Sequence, residues 1–174
     1  GYLACSRAIT EQVNDERARQ NAQIDGLTGI LSRQYFLVRA GEEYERADRF
    51  RQNLCVAMID IDNFKAVNDM YGQRIGDDAL RMFAKALAGH VRKFDLVGRF
   101  SGDQFIVLFA NTDLLQASLA MERLNSLLQQ PMTLPGGINL SLTFSHGFAV
   151  RQQDASLEAV IRVAEDTLNR IKKV

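Results

Sequence analysis

Leu54-Cys55-Val56-Ala57-Met58-Ile59-Asp60-Ile61-Asp62 is six apolar residues in a row followed by two carboxylates spaced by one isoleucine. An apolar run of that length, closed by turn-forming residues, reads as a strand buried on both faces. The carboxylates then stand where a central strand ends. Downstream, a Gly-punctuated stretch from Asn63 to Gly76 leads into a helix predicted from Asp77 to about Arg92, where Ala79, Leu80, Phe83, Ala84 and Leu87 recur at helical spacing. Leu96 to Phe100 and Phe105 to Ala110 read as two strands joined by Ser101-Gly102-Asp103-Gln104, a short polar Gly-containing hairpin. Leu114 to Gln129 is a helix that stops before Pro131, Asn139 to Val150 alternates as a strand, and Leu157 to Ile171 carries a last amphipathic helix. Strand, helix, strand, strand, helix, strand, helix contains the split βαβ arrangement of ferredoxin-like sheets. Upstream, a helix from Ser32 to about Phe50 offers Tyr35, Phe36, Val38 and Tyr44 to the core, and residues 2 to about 24 form a polar, exposed helix.

The chain has 174 residues, 47% of them hydrophobic and 24% charged, enough for one domain with a substantial core and too apolar for a disordered tail. Lys plus Arg and Asp plus Glu both number 21, so no overall basic field points to nucleic acid, and any polyanion must be held locally. Cys5 and Cys55 are too few for a disulfide framework or a zinc site, which suits a reducing cytoplasm. His90 and His146 lack the spacing for metal or triad chemistry and read as structural. The first residues lack the charged, apolar and small-residue series of a signal peptide, and no apolar run is long enough to span a bilayer. With Gly1 in place of an initiator Met, the expectation is an excised cytoplasmic domain with a partner upstream, a membrane segment being compatible.

In a split βαβ sheet the first strand neighbours the central hairpin, so Asp103 at the hairpin tip can reach the strand end that carries Asp60. Two carboxylates and a backbone carbonyl there form an oxygen cage for Mg²⁺, which is held by one or two carboxylates and the phosphates of a substrate. The alternative for Asp60 and Asp62 is a strand end turning into solvent.

Four ordered motifs bear on the choice. They are Asp25-x-Leu27-Thr28-Gly29-Ile30-x-Ser32-Arg33; Asp60-Ile61-Asp62-x-Phe64-Lys65-x-x-Asn68-Asp69-x-Tyr71-Gly72-x-x-x-Gly76-Asp77; Arg99-Phe100-Ser101-Gly102-Asp103-Gln104-Phe105; and Thr143-Phe144-Ser145-x-Gly147. In order and spacing the chain resembles the GGDEF domains of bacterial diguanylate cyclases, from about Asp25 to Lys172. The resemblance implies an α/β fold with a five-stranded mixed sheet flanked by helices, residues 1–24 as a connector helix and 25–174 as the domain. It implies a reaction in which two GTP molecules meet in a dimer and close to cyclic di-GMP. Asp60, the Ile61 carbonyl and Asp103 would hold Mg²⁺ or Mn²⁺, and Asn68 and Asp77 would bind guanine. A carboxylate at Asp77 can accept from guanine N1 and N2, a donor pair that adenine lacks. Lys65 and Lys172 would contact phosphate, unless they are solvated lysines, and the amides at Asn63 and Phe64 would cradle the triphosphate.

The departures carry the functional expectation. The signature reads Ser101-Gly102-Asp103-Gln104-Phe105 where the family has Gly-Gly-Asp-Glu-Phe, so a metal-binding, proton-accepting Glu is the neutral Gln104. Loss of a general base lowers rates by roughly 10² to 10⁴-fold. Ser101 adds a side chain where the backbone passes near substrate, Gln73 replaces a usual His, Ser32 an Asn and Asn169 a Tyr, and a phosphate-binding Arg of the family falls beyond Val174. Arg92-Lys93-Phe94-Asp95 has the sequence and spacing of the family's inhibitory RxxD site for cyclic di-GMP, although a helix C-terminus complemented by basic residues reads the same way. The expectation is a GTP- or cyclic di-GMP-binding regulatory module, homodimeric when functional, with a sensor domain upstream and room for a phosphodiesterase domain downstream. The alternative is a working diguanylate cyclase. A scaffold that binds no nucleotide is disfavoured because Asp60, Asn68, Asp77 and Asp103 are all retained.

Overall fold

The computed structural model describes residues 2–174. Its elements are α1 (Tyr2–Gln23), α2 (Arg33–Phe50), β1 (Leu54–Ile61), α3 (Phe64–Tyr71), α4 (Gln73–Gly89), β2 (Leu96–Ser101), β3 (Gln104–Ala110), α5 (Leu114–Leu128), β4 (Met132–Thr133), β5 (Asn139–Leu140), β6 (Phe144–Val150) and α6 (Leu157–Lys172). Four strands form the main sheet in the order β2-β3-β1-β6, every neighbouring pair antiparallel, which is the ferredoxin-like arrangement.

All eight residues of β1 are buried, and their alternation divides the core in two. Cys55, Ala57, Ile59 and Ile61 pack with Phe83 and Leu87 of α4 and Met121 and Leu124 of α5. Leu54, Val56 and Met58 pack with Phe36 and Ala40 of α2 and Val160, Ile161, Ala164 and Leu168 of α6. The same alternation turns Asp60 toward the α2 and α6 side. At Gly147 of β6 an added Cβ would collide with the Ala164 carbonyl oxygen and the Leu168 nitrogen, so backbone meets backbone between the sheet and α6. Burial pushes the Cys55 thiol up to about 12, with Asp113 adding to the effect, so no thiolate chemistry is available there. His146 lies between the rings of Phe144 and Phe148 on β6, and burial pushes its imidazole below the ordinary value.

Several details depart from the sequence expectation. The parallel fifth strand is a single bridge, Leu31 to Gly98, because the Gly29 turn (φ 75°) and the capping residue Ser32 leave only a short extended piece between them. Asn139 to Val150 is interrupted: β5 pairs with β4 as a separate hairpin, and the sheet strand begins at Phe144. The Gly-punctuated stretch holds the helix α3, entered through Asn63 in the left-handed region (φ 54°) and ended at Gly72 (φ 86°). Asparagine is among the few non-glycine residues that tolerate that conformation. Helix α4 begins at Gln73 and ends at Gly89, so Arg92 lies in a turn beyond it and does not cap it. Val38 is exposed, and Ala40 and Ala47 fill the core positions of α2 beside Phe36 and Tyr44. Helix α1 stands in solvent, with Leu3, Ile9 and Val13 exposed. No helix among the described residues is long and apolar enough to cross a membrane.

Candidate functional site

Asp60, the penultimate residue of β1, is 4% exposed and lies opposite Gln104 in the antiparallel register. The Asp103 carbonyl oxygen accepts from the Ile61 N–H at 3.3 Å, which ties the hairpin tip to the strand end. Asp103 and Asp60 thereby stand carboxyl to carboxyl: burial, then the neighbouring Asp60 charge, push the Asp103 carboxyl above its usual value, and Lys172 offsets part of the rise. The Lys172 ammonium donates to Asp60 Oδ2 from the last turn of α6, while Asp60 Oδ1 is buried without a partner. A buried carboxylate oxygen with no donor, beside a second carboxylate, suits a hard cation with oxygen preference. Among the described residues no group of three acidic, imidazole or thiol side chains converges, so Gln104 leaves the pair without a third ligand of that kind.

Asp62 has a different task. Its Oδ2 accepts from Thr143 Oγ1 at 2.9 Å and its Oδ1 from Ser145 Oγ at 2.7 Å, and its N–H donates to the Thr143 carbonyl. The Thr143-Phe144-Ser145 motif is thus a latch that fixes the end of β1 to the start of β6.

Beside the carboxylates, Lys65, Asn68, Asp77, Arg99, Gly102 and Asp103 line an open cleft of about 320 Å³, with Gln73 at its edge. Asn68 on α3 and Asp77 on α4 face it from two helices that pack together across Gly72. Gly76 makes this possible, since an added Cβ would lie 1.7 Å from Asn68 Oδ1. That oxygen is buried against Gly76 and has no hydrogen-bond partner. The amides of Asn63 and Phe64 stand at the N-terminus of α3, where helical N–H groups lack intrahelical partners.

The signature hairpin is tethered on its other side. Arg99 Nε donates to the Gly102 carbonyl at 2.9 Å, and Arg99 Nη1 pairs with Asp25 at 3.3 Å. Asp25 in turn accepts from the Thr28 N–H and hydroxyl, at 2.9 and 2.6 Å. Hydrogen bonds from Thr28 and the Arg99 charge hold the Asp25 carboxyl below its usual value, although burial opposes them as the largest single influence. Ser101 Oγ donates to Gln104 Oε1 at 3.1 Å, so the two departures from the family signature engage each other.

The Arg92 turn lies elsewhere. The Asp95 carboxylate is 1% exposed and accepts from the N–H groups of Arg92 (2.8 Å) and Ala110 (3.0 Å). The Arg92 side chain is half exposed, 3.6 Å from Asp95, and donates to the Ala110 carbonyl and to Thr112 Oγ1. With Arg123 of α5 it borders a cleft of about 260 Å³.

Residues 22–174 match the family model for the diguanylate cyclase GGDEF domain. The chain belongs to the GGDEF family. It is 34% identical over 168 residues to the diguanylate cyclase DgcP of Pseudomonas aeruginosa, covering 97% of this chain but only 25% of that protein. The crystal structure of the coiled coil and GGDEF domain of DgcB from Caulobacter crescentus, in complex with c-di-GMP, superposes with a TM-score of 0.88 at 25% identity, over 99% of this chain and 93% of that one. Diguanylate cyclase SiaD of Pseudomonas aeruginosa, solved with its activator SiaC, gives 0.82 at 30% identity, over 99% of this chain and 67% of that one.

Within this GGDEF domain, Asp60, Asp103, Gln104 and Lys172 converge at the strand end, and Lys65, Asn68 and Asp77 share the adjoining cleft with Gly102. Arg92 and Asp95 lie apart from these, in the turn beside the Arg123 cleft. Two side chains escaped the sequence reading as site residues: Arg99, which lines the cleft and tethers Gly102, and Arg123, which faces the Arg92 cleft. The Asp25-x-Leu27-Thr28 motif was a signal for the first, because a half-buried Asp needs a cation. Nothing local announces the second.

Proposed function

We propose that this GGDEF domain is a guanine-nucleotide-binding regulatory module of cyclic di-GMP signalling, in which cyclase turnover is lost or feeble. The observation that carries the reading is the buried Asp60, with the half-buried Asp103 beside it, lying opposite a neutral Gln104 in the strand register. GTP would place guanine between Asn68 and Asp77 and its phosphates toward Lys65 and the Asn63 and Phe64 amides. Mg²⁺ or Mn²⁺ held by Asp60, Asp103 and the Ile61 carbonyl would neutralise triphosphate charge there. The domain's own groups then select guanine, orient the triphosphate and keep water from the Asp60 carboxylate. Residues 1–24 serve as the connector to an upstream sensor, and two copies meet when the module is functional. A phosphodiesterase domain downstream fits the same role. The second reading, a working cyclase, is favoured by the similarity to diguanylate cyclases and by the near-isosteric shapes of Gln and Glu.

Calorimetry with Mg²⁺ tests the nucleotide reading. GTP should bind at least tenfold tighter than ATP, and Asp77→Ala should weaken GTP by roughly 10 to 100-fold, the range for ligand donors left without their acceptor. Equal affinity for GTP and ATP would remove the guanine assignment.

Cyclic di-GMP is the ligand of the Arg92 cleft in this reading, its phosphates meeting the guanidinium groups of Arg92 and Arg123. Added cyclic di-GMP should shift the chain toward dimer in sedimentation, and Arg92→Ala should abolish the shift. An undiminished shift in that variant would make Arg92 purely a tether for Ala110 and Thr112.

A further inference from the structure

We infer that Lys172 is an internal occupant of the cation seat, neutralising Asp60 and having to withdraw before a divalent cation can take that carboxylate. The inference rests on the reading of Asp60 and Asp103 as metal ligands. Two carboxylates side by side at a buried strand end require positive charge. Among the described residues, Lys172 is the cation paired with Asp60, reaching it across 112 positions of sequence because both lie on the α6 side of the sheet. It engages Oδ2 alone and leaves Oδ1 unpartnered, so a monodentate ammonium satisfies the charge without completing the coordination.

The withdrawn state is accessible. The Lys172 side chain is 39% exposed, so its head can swing to solvent along the flexible stem. It also sits in the last turn of α6, where the helix dipole and the free carbonyls favour a cation wherever the head comes to rest. Cation entry at Asp60 and release of the last turn of α6 are therefore linked, and the linkage is reciprocal. An interaction that draws Lys172 away from Asp60 should raise metal affinity by the same factor that metal loosens the turn.

Mn²⁺ alone, without nucleotide, is the probe, measured by calorimetry and by the spin-resonance signal of free Mn²⁺ on the whole chain. Lys172→Met keeps the stem and removes the charge, and should bind Mn²⁺ about tenfold tighter than the unmodified protein. Lys172→Arg keeps the charge and should stay within about twofold of it. Amide exchange at Ile171, Lys172 and Lys173 should quicken on adding Mn²⁺ to the unmodified chain and stay unchanged in Lys172→Met. Equal or weaker Mn²⁺ binding in Lys172→Met, or equal tightening in the Met and Arg variants, overturns the inference while leaving the metal reading intact. Absence of Mn²⁺ uptake by every variant overturns both, and loss of uptake in an Asp60→Asn, Lys172→Met double variant ties the gained affinity to the Asp60 carboxylate.

Discussion

Gln104→Glu is expected to raise formation of cyclic di-GMP from GTP by roughly 10²-fold or more, the usual contribution of a positioned proton acceptor. Gln104 faces Asp60 across the β1–β3 ladder, so a carboxylate there would join Asp60 and Asp103 as a third acidic group. Its present amide can neither accept the proton of an attacking hydroxyl nor lend charge to a second cation. Adding Ser101→Gly removes the hydroxyl that donates to the residue 104 side chain and opens the approach to the hairpin. The assay is product formation with Mg²⁺ or Mn²⁺ in the unmodified and substituted chains. Ready turnover by the unmodified chain would establish the cyclase reading. If both chains bind GTP and neither turns it over, the missing element is the dimer geometry that brings two half-sites together.

Asp95→Ala should lower stability by about 3 kcal/mol, from two charge-assisted hydrogen bonds lost and two backbone donors stranded. The carboxylate accepts from Arg92 and Ala110, so it joins the turn after α4 to the far end of β3. Urea denaturation should show the midpoint falling with an unchanged slope. Arg92→Ala, which alters a half-exposed side chain, should lose well under half as much. A fall for Asp95→Ala no larger than that for Arg92→Ala would refute the buried-brace role. The comparison matters for the cyclic di-GMP site, because loss of the ligand response in Asp95→Ala would report damage to the turn as much as loss of a contact.

Much of this was legible in the chain because the deciding signals are local. The six apolar residues from Leu54 state that β1 is buried on both faces, and Asp60 continues their alternation into the α6 layer. The Ser101–Gln104 hairpin follows from Gly102 between two apolar runs. Three features were illegible for physical reasons. Helix α3 has eight residues and none of them buried, so no long apolar face marks it, and Gly72 made two helices look like one loop. Asp60 and Asp62 are indistinguishable by type and separated in the sequence by the family resemblance alone, because the hydroxyls of Thr143 and Ser145 that make Asp62 a latch arrive from more than eighty residues away. The Lys172 to Asp60 pairing is likewise a property of the layer stacking.

Gly147 gives α6 a pivot. With no side chain between them, the strand and the helix touch at Ala164 and Leu168, and Lys172 lies one turn further along, about 6 Å by the helical rise. Upstream of that contact Leu157, Val160 and Ile161 hold the helix in the core, so the exposed last turn beyond Leu168 is the arm that can bend, with the ammonium group at its end. Bending it by about 10° would carry the Lys172 backbone about 1 Å, comparable to the difference between a made and a broken hydrogen bond. A contact made on that last turn would therefore be read out at Asp60 as the loss or gain of its neutralising partner.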